Sequence, residues 1–341
     1  MSKTVLVTGG GGYIGSILVQ DLLSHGYDVV ALDRFFFGKE TLAELASNPR
    51  LSLVEKDIRD VDESDLEGVN AVCDLAALSN DPSGEIDIDL TYEINYKGRA
   101  RIARLAKAAG VQRYILSSSC SVYGSGGSNR LDETFPTAPL TTYADSSLKA
   151  EESILALADR TFSATALRNA TVFGISPRMR FDLVINLMTL HASEKGMITV
   201  MGGGRQWRPL VHVRDVARAF RNVIEAAKEQ VSGQVFNIGL ASFQIRSLAY
   251  IVRETLPFLV QIHIAPDDHD KRDYKVRFDK ARELIGFDAK ISIEDGVREV
   301  YEALKLGRVE YTTRTVTVDW YRSILDAKAL IDRVELDGRI L

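Results

Sequence analysis

Val5-Leu6-Val7-Thr8-Gly9-Gly10-Gly11-Gly12-Tyr13-Ile14-Gly15 decides the reading of this chain. An apolar strand runs into glycines and then into a helical pattern carried by Ile17, Leu18, Leu22 and Leu23, the opening of a βαβ unit. Glycines at that turn let the backbone bend tightly and approach a pyrophosphate closely. The helix N-terminus then offers unpaired N–H groups to the phosphate charge. A second strand pattern, Asp28 to Leu32, ends at Asp33, where this arrangement needs a carboxylate for the adenosine ribose 2′-hydroxyl. A carboxylate repels a 2′-phosphate, which favours NAD over NADP; Arg34, directly after it, weighs the other way. The expected cofactor run is therefore Gly9, Gly12, Tyr13, Ile14, Gly15, Asp33 and Arg34.

The 341 residues allow one large or two intimate domains. A net charge of −5 supplies no electrostatic footprint for nucleic acid or an anionic membrane, so neither is expected as a partner. Two cysteines, Cys73 and Cys120, fall in strand-like segments and point to a reduced compartment, not a disulfide framework. The first strand pattern starts within a few residues of Met1, and no apolar run approaches a membrane span, so a soluble cytoplasmic enzyme is expected. The histidines at 25, 191, 212, 263 and 269 show no ligand spacing, and no metal is expected.

Strand and helix patterns alternate through the first half. A short helix is expected near Thr41–Ala46, then strands at Leu51–Val54 and Ala71–Ala77, and a helix over Tyr92–Ala109 closed by Gly110. A strand at Tyr114–Leu116, a helix over Tyr143–Asp159 and a strand at Ala164–Arg168 follow. Repeated β-α-β with continuous apolar strands predicts an α/β fold, a Rossmann doubly wound parallel sheet. Beyond Gly174 the rhythm loosens into a helix at Phe181–Glu194, a glycine turn at Gly202–Gly204, short strands at Leu210–Val211 and Val235–Phe236, and a helical tail from Val318 to Arg333. The expected division is a cofactor domain over residues 1–173, with 205–240 returning to it, and a smaller mixed α/β substrate lobe over 174–204 and 241–341.

These residues together resemble the extended short-chain dehydrogenase/reductase family, and within it the NAD-dependent nucleotide-sugar epimerase and dehydratase group. Its Thr-Gly-x-x-Gly-x-x-Gly matches Thr8, Gly9, Gly12 and Gly15. Its acid near the adenine matches Asp57, followed by Ile58; its Leu-Ala-Ala cofactor wall matches Leu75-Ala76-Ala77. Its helix asparagine matches Asn95, its Ser-Ser-Ser-x-x-Val-Tyr-Gly matches Ser117 to Gly124, and its Arg-x-x-Val-x-Val-x-Asp-Val matches Arg208 to Val216. The resemblance implies bound NAD, a nucleoside-diphosphate sugar in the second lobe, and a homodimer formed through the two long helices. It adds Asp57, Ile58, Leu75, Ala76, Ala77, Asn95, Ser117, Tyr143 and Asn169 to the cofactor site.

The implied chemistry is hydride transfer at a sugar carbon. Tyr143 would remove a hydroxyl proton and Ser119 would hydrogen-bond the same oxygen. The family places a lysine four residues after the tyrosine, and here that position is Ser147. Lys149 cannot replace it on an unbroken helix: four residues turn about 40° from the tyrosine, six turn about 240°. Bringing a tyrosine of pKa about 10 into play at neutral pH asks for about 4 kcal/mol, of which a helix N-terminus supplies about 0.3–1 kcal/mol. The expectation at the catalytic set Ser119, Tyr143 and Ser147 is a site that is weakened or compensated elsewhere.

Cys120-Ser121 stands where the family's dehydratases carry Asp-Glu, and the decarboxylases' glutamate is also absent, which leaves epimerisation through a transient ketone or simple oxidoreduction. Ser79 and Asn80, after a strand end, are expected in the sugar pocket with Ser119, Ser121, Tyr143, Asn169 and Thr171. Asn186 opens the next helix beside the nucleotide. Arg208 and Arg272 are the expected diphosphate clamps, with Arg178 and Arg180 as further candidates. The leading reading is an NAD-dependent sugar-nucleotide epimerase. The alternatives are an oxidoreductase or dehydratase of the same family, or a non-catalytic dinucleotide sensor.

Overall fold

Seven strands form one parallel sheet: β1 (Thr4–Thr8), β2 (Asp28–Asp33), β3 (Leu51–Glu55), β4 (Ala71–Asp74), β5 (Arg113–Ser119), β6 (Ser163–Asn169) and β7 (Gln234–Ile238), in the order β3-β2-β1-β4-β5-β6-β7. The computed structural model describes residues 3–266, 273–336 and 338–340. Strand order reverses between β1 and β4, so the crevice beyond their carboxyl ends is where a doubly wound sheet binds its ligand. Thr8 and Asp74 pair in register at that point, and the Thr8 hydroxyl donates to Asp74 Oδ1 at 2.7 Å.

The helices that position the crevice are α1 (Tyr13–Ser24), α2 (Arg99–Ala108), α3 (Thr142–Leu155), α4 (Val184–Lys195), α5 (Val213–Glu225), α6 (Ile293–Lys305) and α7 (Thr317–Val334). Side chains alternate across β1: Val5 and Val7 pack with Leu18, Leu22 and Phe220 under α1 and α5, while Leu6 packs with Ile102, Ala106, Ala150 and Ile154 under α2 and α3. Every residue of β6 is buried, as expected where helices cover both faces of a parallel sheet. No described helix is long and apolar enough to cross a membrane.

A smaller sheet of Thr171–Phe173, Trp207–His212 and Ala241–Gln244 lies over the strand ends, with α4, α6 and the helix Ile245–Thr255 around its own core. Residues 207–212 therefore pair outside the main sheet, while 234–238 supply its seventh strand.

Several element boundaries depart from the sequence expectation. The helix near 41–46 is a 3-10 segment, Lys39–Leu45. The strand expected to reach Ala77 stops at Asp74, because the Leu75 and Ala76 amides turn to the Thr8 hydroxyl, at 3.1 and 3.2 Å. The helix expected from Tyr92 begins at Ile88, capped by Asp87, and passes through a π turn, Glu93–Gly98, before α2. Helix α3 ends at Leu155, and Asp159 caps the following turn by accepting from the Thr161 and Phe162 amides. Helix α4 starts only at Val184. His212 sits fully buried in the small sheet with Nε2 2.5 Å from Glu299, a structural pair.

Candidate functional site

One cleft runs along the carboxyl ends of β1, β2, β4, β5 and β6. At its centre the glycine loop turns through Gly9, at φ +68°. Gly12 caps α1 without any side-chain acceptor, so the first amides of α1 meet no side chain of their own. A Cβ on Gly15 would lie 2.0 Å from the Gly9 carbonyl oxygen, and that oxygen belongs to backbone that cannot swing aside. Gly15→Ala is expected to lower NAD affinity at least tenfold, because the cradle must open to admit the methyl group. Equilibrium dialysis of NAD checks this, and unchanged affinity would contradict the assignment of the cradle.

One end of the cleft is built around Asp33, which accepts from the Gly11 and Phe35 amides at 3.0 and 2.7 Å. Burial raises its pKa, and those amides act in the opposite direction. Asp57 accepts from Arg59 at 2.9 and 2.7 Å and from Arg34 at 3.0 Å. The hydrogen bonds from Arg59 are the largest cause holding its carboxyl down at about 2. Arg34 lies 4.5 Å from the Phe36 ring centroid. Ile58, Leu75, Ala76 and Ala77 line the same wall.

At the other end, Thr141 caps α3, accepting from the Ala144 amide and donating to Asp81 at 2.5 Å. That places half-buried Tyr143 in the first turn, against Gly84, where a Cβ would come within 3.0 Å of Tyr143 Cβ. Burial is the largest cause raising the Tyr143 pKa, the Asp81 charge adds to it, and Arg99, Arg180 and a hydrogen bond with Ser119 oppose it. Ser119 also caps the 3-10 turn Cys120–Tyr123 by accepting from the Ser121 amide at 3.1 Å. Asn169 donates to Ser117 Oγ at 3.0 Å, tying β6 to β5. Also lining the cleft, Arg180 makes a two-pronged pair with Asp182 at 2.9 and 2.8 Å. Asn80 donates to the same carboxylate at 2.7 Å, and Arg180 also reaches the Ser79 carbonyl at 3.4 Å.

The cleft thus gathers Gly9, Gly12, Tyr13, Ile14, Gly15, Asp33, Arg34, Asp57, Ser79, Asn80, Ser117, Ser119, Ser121, Tyr143, Asn169, Thr171 and Arg180. Four expected site residues stand behind it instead. Asn95 is fully buried in the π turn and clips the Leu78 backbone, accepting at 2.8 Å and donating at 3.1 Å. Asn186 accepts from the Gly174 amide and donates to the Arg180 carbonyl and to Tyr13 Oη, so its polar atoms are occupied within the fold. Ser147 is buried and returns its hydroxyl to the Tyr143 carbonyl at 2.8 Å. Arg208 lies in the small sheet, donating to the Trp207 carbonyl, 6.0 Å from the ring of Tyr274, which does line the cleft. Arg272 lies outside the described residues.

Sequence reasoning missed an aromatic group that lines the cleft near Asp33. Tyr321 of α7 lies 6.0 and 5.6 Å from the Phe36 and Phe37 rings, and Trp320 donates to the Phe36 carbonyl at 2.7 Å. Arg178, named above as a further diphosphate candidate, stacks on Phe37 at 3.7 Å and donates to Thr317 Oγ1 at 2.9 Å. The available signal was the Phe35-Phe36-Phe37 run directly after Asp33 and Arg34.

Three buried polar atoms without a hydrogen-bond partner, Ser121 Oγ, Asn169 Oδ1 and Arg178 Nη1, belong to residues that line this cleft. Together with the glycine cradle and Asp33 they fit a polar dinucleotide. Among the described residues no three His, Cys, Asp or Glu side chains gather as a metal site.

The fold and this cleft define a dinucleotide-dependent enzyme class, and the chain belongs to the NAD dependent epimerase/dehydratase family, whose family model matches residues 5–239. The family is NAD-dependent and modifies nucleotide sugars, with epimerases, dehydratases and decarboxylases among the relatives of this chain. The chain is similar to UDP-glucuronic acid decarboxylase 1 of Arabidopsis thaliana, 31% identical over 86% of this chain and 68% of the relative. It is similar to UDP-glucose 4-epimerase of Mycolicibacterium smegmatis, 27% identical over 87% of this chain and 97% of the relative. Among solved structures it resembles DesIV, a dTDP-glucose 4,6-dehydratase from Streptomyces venezuelae with NAD and TYD bound. That match has a TM-score of 0.77 and 28% identity, and covers 89% of this chain and 97% of the other.

Proposed function

We propose that this chain is an epimerase that inverts one carbon of a nucleoside-diphosphate sugar through a transient ketone. The observation that supports this most is the wall after Ser119. Cys120 is buried, its thiol pushed up by burial, and Ser121, which lines the cleft, carries only a neutral hydroxyl. Neither position offers a carboxylic acid to protonate a leaving hydroxyl or to take a second proton, as elimination of water requires. Among the described residues, the acids that line the cleft are Asp33, Asp57 and Asp81, the last accepting from Thr141.

Bound along the glycine loop, NAD supplies the acceptor and donor of a hydride at the sugar carbon. Tyr143 takes the proton of the reacting hydroxyl and returns it when the ketone, turned so that its opposite face meets the hydride, is reduced. Ser119 holds the oxygen through both steps, so the proton never has to reach solvent. Ser79, Asn80 and Arg180 bound the sugar pocket, and Arg180 is kept aligned by Asp182.

The test incubates the NAD-loaded protein with UDP-, GDP-, ADP- and CDP-sugars and analyses the products. The expected result is one sugar nucleotide converted to its epimer, with no net accumulation of reduced nicotinamide. Loss of water or carbon dioxide, or stoichiometric reduction of NAD, would contradict the reading. Thermal stabilisation by NAD alone, with no response to any sugar nucleotide, would mark a sensor instead.

A further inference from the structure

The loop after β2 holds a costly conformation. Phe35 sits at φ +52°, left-handed backbone that an aromatic residue keeps when its surroundings hold it there. Its amide donates to Asp33 at 2.7 Å, and the next two rings, Phe36 and Phe37, line the cleft. The groups that fasten this loop come from the far end of the chain. Trp320 Nε1 donates to the Phe36 carbonyl at 2.7 Å. The Arg314 guanidinium donates to the Phe37 carbonyl and pairs with Glu40, and it lies 5.6 Å from the centroid of the Trp320 ring. Tyr321 then sets its ring 6.0 and 5.6 Å from those of Phe36 and Phe37, and it too lines the cleft.

The same stretch is tied to the loop that leads into α4. The Phe181 amide donates to the Thr315 carbonyl at 2.8 Å, and the Thr317 amide donates to Asp182 Oδ2 at 3.4 Å. Arg178 donates to Thr317 Oγ1 at 2.9 Å while it stacks on Phe37. Residues 312–321 are thus anchored both to 36–40 and to 178–182, two segments distant in sequence that meet at one cleft. They lie beyond residues 5–239, the span that the family model matches. From Leu325 to Val334 every residue of α7 is exposed, so the helix is held to the body by its first turns, at the cleft. A segment with so few buried groups opens at low cost, which lets a ligand enter before it closes.

We propose that residues 312–321 are a strap that closes over the adenosine half of bound NAD, with Tyr321 as a cofactor-binding residue. Its ring completes, with Phe36 and Phe37, an aromatic wall beside the ribose on Asp33. An epimerase takes a hydride from the sugar and gives it back to the ketone, so the reduced cofactor must stay with its ketone between the two steps. A strap that slows exchange of the dinucleotide meets that need. The role rests on the reading that NAD lies along the glycine loop with its adenosine ribose at Asp33.

The test follows release of adenine-labelled NAD from the full-length protein into excess unlabelled NAD, and likewise of ADP-ribose, which lacks the nicotinamide. Tyr321→Ala is expected to release both about tenfold faster or more, since loss of contact shows mainly in the off-rate. Trp320→Phe keeps the Tyr321 ring and removes one hydrogen bond to the loop, and is expected to speed release about threefold or more. Leu325→Ala, on the exposed part of α7, should release both at the parent rate. Thermal unfolding of the NAD-free proteins is measured alongside, and if Tyr321→Ala does not fold, Trp320→Phe decides. Release within about twofold of the parent in the folded variants overturns the proposal, as does faster release of NAD with ADP-ribose unchanged. Parent-like release in variants that still epimerise a sugar nucleotide would defeat the strap alone. Strap-dependent release in a protein that epimerises none would defeat the epimerase reading and leave the strap standing.

Discussion

Tyr143→Phe is expected to lower turnover by about 10²–10⁴-fold while NAD stays bound. The variant removes one oxygen and keeps the ring, so the contact of Tyr143 with Gly84 and the Thr141 cap that starts α3 both survive. The oxygen lost is the one that faces Ser119 and carries the influence of Asp81, Arg99 and Arg180. Because the glycine cradle lies at the centre of the cleft and Asp33 beyond it, away from the phenol oxygen, NAD affinity should change little. Turnover measured with the responsive sugar nucleotide, beside dialysis of NAD, checks both halves. Activity within a few fold of the parent protein would remove Tyr143 from the chemistry.

Arg168→Met is expected to cost about 3–5 kcal/mol of folding stability. Arg168 on β6 donates from Nε to both oxygens of Glu151 at 3.1 Å and from Nη2 to Oε2 at 2.8 Å. Nη1 donates to the Tyr123 hydroxyl at 3.0 Å, and the Ser118 hydroxyl donates to the same glutamate. Both ionic side chains are buried, so removing the arginine strands a carboxylate in a low-dielectric interior. Glu151 belongs to α3, and this cluster therefore sets the helix that carries Tyr143 against the ends of β5 and β6. Urea unfolding of NAD-free protein reads the loss without the stabilisation a ligand adds. Arg168→Met/Glu151→Leu should recover most of it, since an apolar pair of similar volume tolerates burial. A loss below about 1 kcal/mol in the single variant would show that Glu151 is hydrated, not buried and paired.

The parts of the site that read well from sequence are those made by neighbours in the chain. The run from Val5 to Gly15 codes strand, turn and helix N-terminus within eleven consecutive residues, and Asp33 ends a strand whose apolar pattern is unbroken. Their geometry follows from local rules, and the structure places them on one cleft. Residues whose role depends on distant partners read less well. Asn186 opens a helix, and nothing local shows that Tyr13, 173 positions earlier, takes up its amide. Asn95 is a helix asparagine until the π turn aims it at Leu78. Ser147 announced a missing charge, and nothing local showed that its hydroxyl turns back to the Tyr143 carbonyl. The helical tail was legible as a helix; its landing place was not. Only Thr317 of α7 is buried, and the contact of Trp320 with Phe36 spans 284 residues.

The central claim is that NAD lies over the Gly9–Gly15 loop with its nicotinamide beside the Tyr143 phenol. A crystal structure of the protein with NAD tests it most directly. The account predicts the pyrophosphate at the start of α1, the adenosine ribose on Asp33, and the nicotinamide between Ser119 and Tyr143. A dinucleotide bound elsewhere, or bound in the cleft with its nicotinamide turned away from Tyr143, would contradict it.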